Sequence, residues 1–288
     1  MNADEKTKSK IQNPKSKIKT GCQGWNYPDW TTKADGETVF YPRGTRPGEM
    51  LGLYARIFET VEIDSTFYAI PAASALEAWA KKTPPDFSFA LKMPREITHE
   101  RTLDESSYRI LDEFCERVRI LGDKLKSVLI QLAPQFTASK ENALNLRKFL
   151  ARLPREIRFA VEFRSREWMV EWTLEELEKN RVALCLVEGA WLPREAMFEA
   201  IERPTADFSY VRFMGERDLT AFDRVVRPQD ANLRVWAEEL AKSKTKEIYV
   251  YFSNFYEGFA PESTQKLMRM CGQRVKTAAA LEDQASLF

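Results

Sequence analysis

Seven charged residues fall near the C-terminal ends of short apolar runs. They are Glu62 and Asp64 in TVEIDSTF, Lys92 in FSFALKMP, Glu162 and Arg164 in RFAVEFR, Glu188 in VALCLVEG and Arg212 in DFSYVRFMG. Carboxylates set among cations are the ingredients of acid/base chemistry, in which one group moves a proton while another holds an anionic part of the ligand. Glu62 and Glu162 are the candidate acid or base residues, and Lys92, Arg164 and Arg212 are candidate grips for a phosphate or carboxylate. Lys92 also has the chemistry to form a Schiff base with a carbonyl ligand, provided its neighbours lower its pKa. His99, the single histidine, lies in the stretch PREITHE after the third run. Its ordinary pKa suits it to shuttling a proton, or to a hydrogen bond that fixes that loop. Gln131 in SVLIQLAP and Asn254 in EIYVYFSN add polar groups at two further run ends. The same charges also compose a near-neutral structural network. Burying ions is costly even when they pair, so their concentration at so many run ends favours function.

Those run ends need elements to position them. The β-prone runs at 18–24, 60–67, 87–94, 127–134, 158–164, 182–189, 207–215 and 247–254 alternate with segments of helical period. The clearest helix is YRILDEFCERVRILGD, whose Leu111, Phe114, Cys115, Val118 and Leu121 form one apolar stripe. Alternating strands and helices imply right-handed crossovers and a parallel sheet, and eight repeats in one domain length favour an α/β fold of the single (β/α)8 TIM type. An open doubly wound sheet is the alternative. Against it, no G-x-G-x-x-G or G-x-x-x-x-G-K-[ST] motif opens a helix. Side chains alternate along a strand, so with Val61 and Ile63 toward the helices, Glu62, Asp64 and Thr66 face the barrel interior. The same parity sends Lys92, Gln131, Glu162, Arg164 and Arg212 inward. Active sites of such barrels lie at the C-terminal mouth.

GCQGWNYPDW, residues 21–30, reads as the first strand and its loop. Its glycines admit close approach at the barrel wall. Trp25, Tyr27 and Trp30 then either line the mouth, where they would stack on a sugar or base, or pack beneath the loop running to Val39.

Composition narrows the classes. Forty-four basic and forty-three acidic residues leave a formal charge of +1, so no global field steers the chain toward nucleic acid or membrane. One histidine is too few for a histidine-rich zinc site. Magnesium or manganese on Glu62, Asp64, Glu162 and Glu188 stays open, and no cofactor is identified. Cys22, Cys115, Cys185 and Cys271 form no C-x-x-C pair, which fits small core residues in a reducing cytoplasm. No run of about 18 apolar residues suggests a membrane span, and MNADEKTKSK has no apolar core for a signal peptide. The expected organisation is a lysine-rich disordered tail over 1–17, in which KSKI occurs twice, a barrel over 18–275 and a C-terminal tail over 276–288.

The successive stretches GCQGWNYPDW, FYP, TVEIDSTFY, FALKMPREITH and VEFRSREW resemble the signatures of the YecE-like family, domain-of-unknown-function family 72, in order over residues 18–272. The resemblance implies a TIM-type barrel and no established activity. Carried over motif by motif, it points to Gly24, Trp25, Tyr27, Glu62, Ser65, Thr66, Phe67, Tyr68, Lys92, Thr98, His99, Gln131, Glu162, Arg164 and Trp168. The chain departs from that pattern at Met214, where similar proteins carry a histidine, and in SNFYEGFAPEST, where they carry further asparagines. The family's grouping with xylose isomerase and endonuclease IV barrels suggests a sugar isomerase or phosphodiesterase. Two function classes follow. One is an enzyme, hydrolase or isomerase, acting on a small anionic or sugar-like ligand by carboxylate acid/base chemistry. The other is a nucleic-acid-binding barrel that uses the aromatics with Arg43, Arg46 and Lys92.

Overall fold

Each β-prone run becomes a strand because β-branched and aromatic residues pack well on a pleated surface, and each stops where polar or turn-forming residues begin. The strands are β1 (Lys17–Gln23), β2 (Thr60–Ile63), β3 (Ser88–Lys92), β4 (Leu125–Gln131), β5 (Phe159–Glu162), β6 (Ala183–Glu188), β7 (Phe208–Phe213) and β8 (Glu247–Phe252). All pair in parallel with their sequence neighbours, and β8 closes onto β1. Around them lie α1 (Pro47–Ile57), α2 (Ala73–Lys82), α3 (Tyr108–Val118), α4 (Lys140–Arg152), α5 (Glu171–Lys179), α6 (Arg194–Glu202), α7 (Asp230–Leu240), the short α8 (Asn254–Glu257) and α9 (Ala260–Met270). The chain is therefore a single (β/α)8 barrel of TIM type, as its residue pattern implies. The structure is a computed structural model and describes residues 16–31 and 38–276.

The tails expected over 1–17 and 276–288 lie almost wholly outside the described residues. The inner edge of the first belongs to the barrel instead: Lys17 opens β1, its backbone N–H bonded to the carbonyl of Lys246 at 2.8 Å. Ser16 is buried, its hydroxyl donating to the Thr245 carbonyl. Strand pairing needs only backbone groups, so it runs one residue beyond the apolar pattern. β2 is shorter than its run because Ser65–Phe67 turns into a 3-10 helix.

Two apolar compartments result. The helix side buries Val61, Ile63, Val161 and Phe213 against helix residues such as Leu111, Phe114 and Trp236. The barrel interior holds Ala90, Leu129, Ala160, Ala183 and Cys185 from β3 to β6, and Tyr210, Tyr249 and Tyr251 from β7 and β8. Small residues on one wall leave room for tyrosines from the other, which fills the interior at the density a protein core requires. Gly21 meets the need for close approach: a Cβ there would lie 2.0 Å from the Thr60 carbonyl oxygen on β2.

Candidate active site

The inward parity of β2, β5 and β7 brings three charged side chains together above the tyrosine layer. Arg212 is 2 % exposed, Glu162 1 % and Glu62 fully buried. The Arg212 guanidinium donates to both Glu62 oxygens, Nε at 2.9 Å and Nη2 at 2.7 Å, and its Nη1 donates to Glu162 Oε2. One arginine thus ties β7 to two strands that are not its neighbours. The Tyr210 hydroxyl, one inward position earlier on β7, donates to Glu62 Oε2 at 2.6 Å. Arg164 donates from Nε to the other Glu162 oxygen at 3.0 Å. Burial works to raise the pKa of Glu162, but the Arg212 and Arg164 guanidiniums outweigh it and hold the group below the ordinary carboxylate value. Arg212 keeps its charge under all ordinary conditions: burial opposes the charge, and Glu162 and Glu62 more than restore it.

Lys92 is placed differently. It is 8 % exposed, and among the described residues its ammonium makes no hydrogen bond and meets no carboxylate. Its Nζ instead sits 3.7 Å from the centroid of the Phe67 ring. Burial, and then the Arg212 charge, lower its pKa from 10.5 to about 8, against the pull of Glu162 and Glu62. His99 faces the same charges from a turn of π-helix, Glu96–Glu100, where the sequence suggests a plain loop. Its ring is edge-on to Phe67 at 5.0 Å and its Nδ1 lies 2.8 Å from the Thr98 hydroxyl. Burial, with Lys92 and Arg164 nearby, lowers the His99 pKa to about 4, so the ring is neutral at neutral pH.

Other candidates fall at varying distance from this cluster. Gln131 is buried beside Glu162 in the β4–β5 register. Trp25 and Tyr27 are half-buried at the rim, with Trp25 edge-on to Trp79 and the Tyr27 hydroxyl donating to the Gln23 carbonyl at 2.7 Å. Trp30 is fully buried against Phe40 and Tyr41, as the packing reading of the aromatic stretch expects. Asp64 and Tyr68 are exposed at the rim, Tyr68 at 73 %. Thr66 is committed to the backbone, donating to the Lys92 carbonyl at 2.7 Å. Trp168 lies behind the wall, stacked between Phe136 and Phe163 with its indole N–H on the Phe136 carbonyl.

Glu188 and Asn254, named as ligand contacts at their run ends, are tied to the helix layer, although Glu188 also lines the cavity described below. On β6 the interior positions are Ala183, Cys185 and Val187, so Glu188 turns to the helix layer, where Arg194, Asn232 and Trp236 bond its carboxylate. Asn254 follows β8 on the outward parity, and its Oδ1 accepts from the backbone N–H of Ala260 at the start of α9. The four carboxylates proposed for magnesium or manganese are therefore not assembled: the Glu188 oxygens are held by Arg194, Asn232 and Trp236, and both oxygens of Glu62 and of Glu162 are occupied by arginines. No group of three or more His, Cys, Asp or Glu suited to a metal occurs among the described residues. Sequence reasoning misses Tyr210 as a Glu62 partner and Gln23, whose amide donates to the Met214 sulfur at 3.1 Å. Both occupy inward positions that the parity rule would have found. A cavity of about 610 Å³ lies between the ends of β6, β7 and β8, lined in part by Arg164, Trp191, Met214 and Arg227.

Glu162→Gln is expected to destabilise the fold by about 3–5 kcal/mol, because it leaves two guanidiniums short of their counter-charge. Urea unfolding at pH 7 measures this. A change below about 1 kcal/mol would mean that the pairing is not structural.

A closed parallel eight-stranded sheet with its charged cluster at the strand C-termini defines the class, a TIM-type barrel. The chain belongs to the family described as Protein of unknown function DUF72, whose model matches residues 19–286. It is 27 % identical over 295 aligned positions to the UPF0759 protein YecE of Escherichia coli strain K12, covering 94 % of this chain and 100 % of that one. It is 24 % identical to the UPF0759 protein YunF of Bacillus subtilis strain 168, covering 88 % of this chain and 94 % of YunF. The crystal structure of a DUF72 family protein from Thermotoga maritima superposes with a TM-score of 0.74 at 26 % identity, covering 89 % of this chain and 100 % of that one. One from Enterococcus faecalis gives 0.71 at 21 % identity, covering 90 % and 97 %. No helix among the described residues is long and apolar enough to cross a membrane.

Proposed function

We propose that the chain is an enzyme acting on a small anionic or sugar-like ligand at the C-terminal mouth of the barrel. The observation that carries this reading is Lys92, a largely buried ammonium with no carboxylate partner among the described residues, while both nearby carboxylates are consumed by arginines. A structural network would spend one of those carboxylates on the lysine. A buried cation without a counter-ion costs stability, and an anionic ligand is the natural group to complete it.

The pairing also redistributes the chemistry. Glu162, held below the ordinary carboxylate range by Arg212 and Arg164 against burial, is a weak base. Lys92 changes protonation near pH 8 and is better matched to proton transfer near neutrality. Neutral His99 can accept a hydrogen bond from ligand or water. Glu62, Glu162 and Arg212 then act as the scaffold, and Arg164 offers its remaining donors to the ligand.

Calorimetric titration with inorganic phosphate and with sugar phosphates, followed by a turnover screen on those that bind, tests the proposal. Saturable binding that weakens about tenfold or more in Lys92→Met is expected, the loss of a charge-assisted contact. Absence of binding by any anion would contradict it. The nucleic-acid reading draws on half-buried Trp25 and Tyr27 and exposed Arg43 and Arg46. Single-stranded DNA binding that falls steeply with salt would favour it over the enzyme.

A further inference from the structure

Among the described residues, Lys92 alone of the three mouth cations lacks both a hydrogen bond and an ion pair; Arg212 and Arg164 each hold a carboxylate. Its nitrogen rests on a ring face, which offers no acceptor lone pair to occupy it. That face suits a flat protonated imine as well as it suits an ammonium. Arg164 uses only Nε on Glu162; its terminal nitrogens carry no hydrogen bond among the described residues. The Arg164 guanidinium lies 5.3 Å from the Trp191 ring centre and lines, with Glu188 and Glu216, a cavity of about 610 Å³ whose walls do not include Lys92; the Arg164 charge is nonetheless near enough to act on Lys92.

We propose that Lys92 is a Schiff-base residue, whose Nζ condenses with the carbonyl of a small aldehyde or ketone while Arg164 holds that molecule's carboxylate or phosphate. The inference rests on the mouth being an anion site and names the substrate class that site takes. The neutral amine attacks the carbonyl carbon and forms the C–N bond, and the carbonyl oxygen takes up a proton that the nitrogen releases. The carbinolamine then expels this oxygen as water with one proton from solvent, leaving a protonated C=N bond. No redox partner is required. The charged and titratable groups facing Lys92 are Arg212, Arg164, Glu162, Glu62 and His99. With burial they leave about a tenth of its amine neutral at pH 7, against well under about a hundredth for an ordinary lysine.

The test is reductive trapping on the full chain. Glyoxylate and glyceraldehyde 3-phosphate serve as anionic carbonyl probes, glycolaldehyde as the neutral comparison, cyanoborohydride as reductant and peptide mass mapping as readout. Expected is one reduced adduct on the Lys92 peptide, labelled on the order of a hundredfold faster than exposed Lys81 or Lys244, with the anionic probes ahead of glycolaldehyde. The Lys92→Arg variant should lose this adduct and keep its melting temperature within a few degrees. Wild-type mapping decides the matter even if that variant fails to fold. Calorimetry with glyoxylate separates the failures. Saturable binding without an adduct would overturn the imine and leave the anion site standing. Neither binding nor adduct would overturn both. Labelling spread over surface lysines and sparing Lys92 would overturn the imine as well.

Discussion

Arg212→Met is expected to destabilise the barrel by about 5 kcal/mol, the upper end of what breaking a buried ion pair costs, because one side chain serves two carboxylates. Glu62 would keep only the Tyr210 hydroxyl and Glu162 only Arg164. Urea denaturation at pH 7 measures the loss, and its pH dependence gives the sign. In the wild type the folded pKa of Glu162 lies below the unfolded one. Its contribution is therefore complete above the unfolded carboxylate pKa of about 4.3 and is lost as pH falls through the folded value. In the variant Glu162 loses the Arg212 charge, so burial weighs more and the group takes up a proton more readily when folded. Acid should therefore weaken the wild type while relieving the variant, so the gap between them narrows as pH falls. Arg212→Lys should rescue little, since an ammonium cannot reproduce the fork that reaches both Glu62 oxygens and Glu162.

The second large effect runs the other way. Lys92→Met is expected to abolish ligand chemistry, by about 10²–10⁴-fold in turnover, while raising stability at pH 7 by up to about 3 kcal/mol. That figure follows from the displacement of its pKa from 10.5 to about 8, at about 1.4 kcal/mol per unit. For a lysine whose folded pKa is lowered, the cost of burying the charge is present in full below the folded pKa. It disappears as pH rises through the window from about 8 to 10.5, because the unfolded chain binds more protons there. The stability advantage of Lys92→Met should accordingly shrink over that window and vanish above it. Methionine keeps most of the buried length and can still lie on Phe67. A destabilised variant would show that Lys92 belongs to the structural network.

Much of this arrangement is legible in the residues, and the exceptions have physical causes. In TVEIDSTF and RFAVEFR one face is apolar and the other charged, so the two-residue period fixes which side is inward, and Glu62 and Glu162 follow. VALCLVEG is apolar on both faces, as strands covered on both sides are, and so carries no phase. Its pattern therefore does not say which way Glu188 points. Asp64 and Thr66, read as inward, lie just beyond the end of β2, where a 3-10 turn breaks the alternation and leaves Asp64 exposed. Tyr210 passes for a core aromatic because its hydroxyl has no visible partner until β2 and β7 are known to face each other across the barrel. The π-helical turn that presents His99 depends on packing against Phe67, a contact that local residue preferences do not encode.

The measurement to make first is competitive acetylation with trace acetic anhydride across pH 6–11, comparing the Lys92 peptide with those of exposed Lys81 and Lys244. Lys92 should reach half its limiting reactivity near pH 8, well below the others. A Lys92 that titrates with the surface lysines, or stays inert at every pH, would contradict a reactive amine held at the barrel mouth.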